Sequence, residues 1–265
     1  MSAVTTADRP TTRPGGPPAP LEPPSLLRLT RVELRKSCDT RAGRWLLAVI
    51  ALAVVAVVAL VLLLGDGPTS LSHHLAMAQL PIAVLLPVLG ILLVTSEWSQ
   101  RTAMTTFTLV PRRSRVLTAK VLAASALAVL GVVATSAVSV VAVLLTPLAT
   151  DAGADWSVSA AQVGQVALFQ VVSVLSGVAF GMLLLSSPLA IVLYFVLPTV
   201  FTIVVSTVGA LRWVADWLDL STATAPMFDG ALDAQGWLQL ATSTALWLAL
   251  PMVLGWLRIR RAEIS

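Results

Sequence analysis

Between Ser96 and Lys120 the chain reads SEWSQRTAMTTFTLVPRRSRVLTAK, a polar interruption between two long apolar stretches. Glu97 stands at its start, followed by Arg101, Arg112, Arg113 and Arg115. The chemistry open to this set is electrostatic. A carboxylate there can accept charge-assisted hydrogen bonds from one of the four guanidinium groups. Such a pair, only partly screened by water, would hold the loop at a fixed angle to the preceding helix. The arginines after Pro111 can also lie beside lipid phosphates. From Trp98 to Leu109 the run is compatible with a short helix, with Thr102, Thr105 and Thr106 set against Met104, Phe107 and Leu109. That half-apolar pattern suits a membrane surface or a cleft in a partner protein; a plain anchoring loop is the simpler alternative.

The remaining reactive side chains exclude more than they offer. The lysines are Lys36 and Lys120, and neither follows a GxxxxG, so no phosphate-cradling loop is present and any ATP-derived energy must come from a separate subunit. His73 and His74 are expected in a solvated outer loop, and no HExxH occurs. A single cysteine, Cys38, rules out an intrachain disulfide and lacks neighbours for a metal site. We therefore expect neither an enzyme nor a bound cofactor. The net charge of +4 would point to nucleic acid in a soluble chain, but its distribution is one-sided in the manner of a membrane protein.

The elements that must position this loop are apolar. The chain of 265 residues is 57% hydrophobic and only 11% charged, with a mean hydropathy of +0.90, far from the roughly one quarter charged of an average soluble domain. An all-α integral membrane protein fits that composition. Trp45–Leu64 is a run of about 20 uncharged residues, enough for roughly 30 Å of hydrocarbon. Further spans are expected at about Leu75–Thr95, Val121–Leu145, Ala161–Leu185, Leu189–Ala210 and Trp237–Leu257, six transmembrane helices in all. Pro81 and Pro87 predict a kinked, protein-facing second span. Ser186, Ser187 and Pro188 predict a tight turn between the fourth and fifth.

Residues 1–24, rich in proline, cannot bury enough apolar surface to order themselves and are expected to form a disordered cytoplasmic tail; no removable signal peptide is expected. Residues 25–265 then form one transmembrane domain. From Ser25, a candidate N-cap, Leu26, Leu29 and Val32 recur beside Arg28, Arg31 and Arg35, which predicts an interfacial helix with its apolar side in the acyl boundary. Between the fifth and sixth spans, Trp213, Trp217 and Leu220 share a helical face and Arg212 pairs with Asp216 at i,i+4, predicting a short helix at the outer surface.

Orientation follows from the positive charges. With the N-terminus inside, sixteen of the 17 Lys and Arg fall on the cytoplasmic side and Arg212 alone falls outside. Both termini are then cytoplasmic, in the cell membrane. No Asp, Glu, Lys, Arg or His lies within the six expected spans, which argues against an ion-coupled secondary transporter. Gln79, Gln162, Gln165, Gln170, Gln239 and Tyr194 are either interhelical glue or a substrate lining.

Taken together, Glu97 closing the second span, then Thr102, Thr105, Leu109, Pro111, Arg113, Arg115 and Lys120 opening the third, the chain resembles the permease subunits of type-2 ATP-binding-cassette exporters. Arg101 stands where that family usually has glycine. The resemblance runs from about Leu26 to the end. It implies a pair of permease subunits, identical or related, with ATP-binding-cassette ATPase subunits docked beneath. It also implies that Arg101 to Leu109 is a cytoplasmic coupling helix seated in an ATPase groove, with Glu97, Pro111, Arg113 and Arg115 fixing it. Drugs, antibiotics, lipids and peptides are substrates within the family. No nucleic acid is expected as a partner. A membrane scaffold or sensor without transport is the alternative.

Overall fold

The computed structural model describes residues 24–64, 69–100, 112–151, 153–229 and 232–261. Secondary structure among them is helical, relieved by an isolated bridge between Ser70 and Asp155. A first helix, α1 (Leu26–Asp39), precedes α2 (Arg41–Leu64), α3 (Leu71–Ser99), α4 (Arg113–Ala149), α5 (Ala160–Leu184) and α6 (Ser187–Thr207). Short helices α7 (Arg212–Leu218), α8 (Leu220–Thr224) and α9 (Pro226–Asp229) lead to α10 (Ala234–Thr244), which runs through a π turn at Ala245–Ala249 into α11 (Leu250–Arg261). Among the described residues six helices are long and apolar enough to cross a membrane: α2 to α6 and the joined Ala234–Arg261.

Where the sequence shows an apolar run the helix forms, but it does not stop where the apolar residues stop. α3 continues through Glu97 to Ser99 and α4 begins at Arg113 rather than near Val121. The 37 residues of α4 extend about 55 Å at the usual rise, well beyond a hydrocarbon core of roughly 30 Å. Arg113 and Arg115 therefore occupy the first turn of a long helix instead of a loop. Arg101, Thr102, Thr105, Phe107, Leu109 and Pro111 lie outside the described residues, as does the proline-rich tail.

The core is built around α3 and α5. Gly177 of α5 approaches Pro87 of α3 so closely that a Cβ there would stand 2.4 Å from the Pro87 carbonyl oxygen. Small residues permit such close packing where the hydrophobic effect gives little drive between helices. Pro87 is buried at this contact and α3 remains one helix through both of its prolines. Val54, Ile82, Leu86, Leu127, Val178 and Met182 fill the space among α2, α3, α4 and α5. Between α5 and α6 the chain reverses through Leu185, in the left-handed region at φ 54°, with Ser186 as N-cap and Pro188 in the first turn of α6.

The segment after α6 departs from expectation at one carboxylate. Asp219 breaks the expected helix between Leu218 and Leu220: its side chain accepts from the Thr222 backbone N–H at 3.1 Å, capping α8, and from the Thr202 hydroxyl at 2.6 Å. Leu220 thus starts a new helix, and no ion pair joins Arg212 to Asp216 among the described residues. The two histidines also differ from expectation. Both lie in the first turn of α3, where the His74 ring is buried with Nδ1 3.0 Å from the Ser70 carbonyl oxygen.

Candidate functional site

The end of the bundle that carries the arginines holds a buried cluster of charge. α1 is amphipathic in an unusual sense: it turns its polar stripe, Thr30, Glu33 and Ser37, into the protein and leaves Leu26, Leu27 and Val32 exposed. Ser25 caps it by accepting from the Arg28 backbone N–H at 3.3 Å. From that buried stripe Glu33 accepts a hydrogen bond from Lys120 of α4 at 2.7 Å. The same ammonium group donates to the Leu93 carbonyl at 2.9 Å and lies 3.2 Å from the Glu97 carboxylate. Lys36, one helical turn beyond Glu33, donates to Glu97 as well.

Two carboxylates and two ammonium groups therefore balance one another at the meeting of α1, α3 and α4. Glu97 and Lys120 are each only 2% exposed, whereas the Lys36 side chain is 36% exposed. Desolvating such ions is expensive, and only close geometry with added hydrogen bonds offsets it. A cluster of this kind fixes the mutual position of the helices that carry it. Glu97 is near the end of α3 and Lys120 near the start of α4, so the cluster brackets residues 101–111 from both sides.

Among the described residues Lys36 and Lys120 pair with Glu97, while Arg101, the arginine nearest to it in sequence, lies outside them. Arg115 instead donates to the Pro24 carbonyl at 2.8 Å. Arg113 donates to the Ile259 carbonyl at 2.9 Å, tying α4 to α11, and Arg258 donates to the Leu183 carbonyl at the end of α5. These guanidinium groups staple helix ends together. Arg112 precedes α4 without a side-chain cap. Glu33, Lys36 and Lys120 were missed as a set, although a signal exists. Glu33 falls three and four residues from Thr30 and Ser37, opposite the arginines, and Lys120 interrupts the apolar stripe of Leu117, Ala123, Ala124 and Leu127.

At the far end, the strand-like segment before α5 runs beside the start of α3. Leu71 and Ser72 donate their backbone N–H groups to the carbonyls of Asp155 and Ser157, at 2.9 and 3.1 Å. The Ser157 backbone N–H, 2.9 Å from the Asp155 carboxylate, holds that carboxyl below its ordinary range. Gln79 of α3 donates to the Thr135 hydroxyl of α4 at 2.9 Å, a bond between two helices, and it also lines a cavity. No model of a known protein family matches the chain, and no curated protein sequence matches it.

Proposed function

We propose that the chain is the membrane-spanning permease subunit of an ATP-binding-cassette exporter, moving its substrate across the cell membrane with ATP hydrolysed by separate subunits. Both termini are cytoplasmic in this reading, α1 lies at the inner interface, and α7 to α9 lie at the outer one. Residues 101–111 form the coupling segment, and a second permease subunit completes the membrane unit. The observation that supports this most is the charge cluster of Glu33, Lys36, Glu97 and Lys120. It makes α1 and the adjoining ends of α3 and α4 one rigid block, so a push on the intervening segment would be delivered to two membrane helices together. Glu97, Arg113 and Arg115 belong to this frame, while Arg101, Thr102, Thr105, Phe107, Leu109 and Pro111 supply the surface that meets the ATPase.

The test is affinity purification of the full chain from its native membrane in mild detergent. An ATPase subunit should co-purify in stoichiometric amount, and Phe107→Ala or Leu109→Ala should lower its recovery. A chain that purifies without any ATPase, or retains it equally in both variants, would overturn the proposal.

A further inference from the structure

The short helices α8 and α9 close one side of a cavity of about 430 Å³ whose other walls come from α3, α5, α6 and the π turn. That is within the usual range for a small-molecule site, about 300–1,000 Å³. A second cavity, of about 650 Å³, opens beside it toward the start of α3. Ala83, Phe169 and Phe228 line both. The rings of Phe169 and Phe228 meet edge to face at 5.0 Å, and the Phe228 carbonyl accepts from the Gln162 amide at 3.2 Å. An aromatic pair held from one side thus stands at the junction.

The first cavity has the chemistry of a binding site. Phe180 and Tyr194 pack edge to face at 5.8 Å on one wall. Trp247, within the π turn that precedes Pro251, also lines the cavity and is fixed by its indole N–H, which donates to the Leu218 carbonyl at 2.8 Å. Single π turns inside α-helices recur at functional positions. Also lining the cavity is Ser176, 2% exposed, whose hydroxyl has no hydrogen-bond partner among the described residues. A buried hydroxyl left unpaired is unfavourable and is satisfied by an incoming oxygen. Among the described residues, no ionisable side chain except the phenol of Tyr194 lines the first cavity, so an anionic ligand would enter without a counter-charge.

We infer that the first cavity binds a neutral aromatic amphiphile through ring contacts with Phe180, Tyr194 and Trp247 and a hydrogen bond from Ser176, with the second cavity adjoining it at Ala83, Phe169 and Phe228. Its role as a transport substrate rests on the proposed exporter reading; the binding itself does not. The probe is benzophenone, a neutral diaryl ketone that forms covalent adducts on illumination, applied to the full chain in lipid nanodiscs beside its anionic analogue 4-benzoylbenzoate. Adducts are mapped by mass spectrometry and normalised to those on the exposed face of α4. Benzophenone should label residues 169–180, 194–198 and 220–228 saturably, with 4-benzoylbenzoate labelling them about tenfold less. Ser176→Ala should raise the half-saturating concentration about three- to tenfold. Ser221→Trp, at an exposed rim position, should reduce labelling without touching the core. Labelling no denser here than on the lipid-facing surface, equal labelling by the anion, or an unchanged half-saturation in Ser176→Ala would each overturn the inference. Absent labelling with intact ATPase co-purification removes the ligand class alone; labelling without an ATPase removes the transport reading alone.

Discussion

Lys120 shares its helix face with Leu117, Ala123, Ala124 and Leu127, all buried, and it is accommodated there because Glu33 and Glu97 both reach its ammonium group. Lys120→Met therefore leaves two buried carboxylates short of positive charge and should cost about 3–5 kcal/mol. Lys36→Met, at the wet edge of the cluster, should cost about 1 kcal/mol or less. Thermal unfolding in detergent checks the ranking: the Lys120 variant should melt well below the Lys36 variant, and equal midpoints would show that burial does not set the cost. A second residue-scale expectation concerns Gly177, where a methyl group meets backbone that cannot move aside. Gly177→Ala should destabilise by about 1–3 kcal/mol, in contrast to Gly164→Ala, where open space surrounds the added carbon. Glu97 was legible in the sequence as a carboxylate at the end of an apolar run. Its partners were not, because Lys36 lies 61 residues away and nearby arginines offered the same chemistry at shorter sequence distance.

At the scale of elements, hydropathy located six helices but not their ends. α3 and α4 continue into polar sequence because backbone hydrogen bonding propagates through residues such as Glu97 and Ser114 as readily as through valine. The sense of α1 was legible in part: Leu26, Leu27 and Val32 are exposed, but Leu34 packs against the core and the protein-facing side is held by Glu33 and Lys36, a polar pattern that hydrophobic periodicity does not detect. The reading of Arg212 to Leu220 failed at Asp219, whose preference for an N-cap overrides the continuity of the tryptophan face. Asp219→Ala removes the cap of α8 and the hydrogen bond from Thr202. It should cost about 1–2 kcal/mol and accelerate amide exchange across residues 220–229. Exchange in α3 should be unaffected, and uniform acceleration throughout would contradict a local capping role.

For the whole molecule, the sixteen positive charges assigned to one side imply that a reporter active only outside the cell works when fused after Asp155 or Asp229 and fails after Arg115 or Arg261. Activity after Arg115 would reverse the proposed arrangement. Composition made the membrane class legible, whereas the two cavities and the charge cluster were not, since each is assembled from helices distant in sequence. The central claim is that ATP hydrolysis in another chain moves this one through the inner end of α3. Its direct measurement is the distance between spin labels at Ser99→Cys and Leu189→Cys, both exposed, in a Cys38→Ser background. With the ATPase bound, trapping with ATP and vanadate should shift that distance by more than the about 2 Å of ordinary helix adjustments. The chain without ATPase should show no shift under the same treatment. An unchanged distance in the assembled complex would contradict the account.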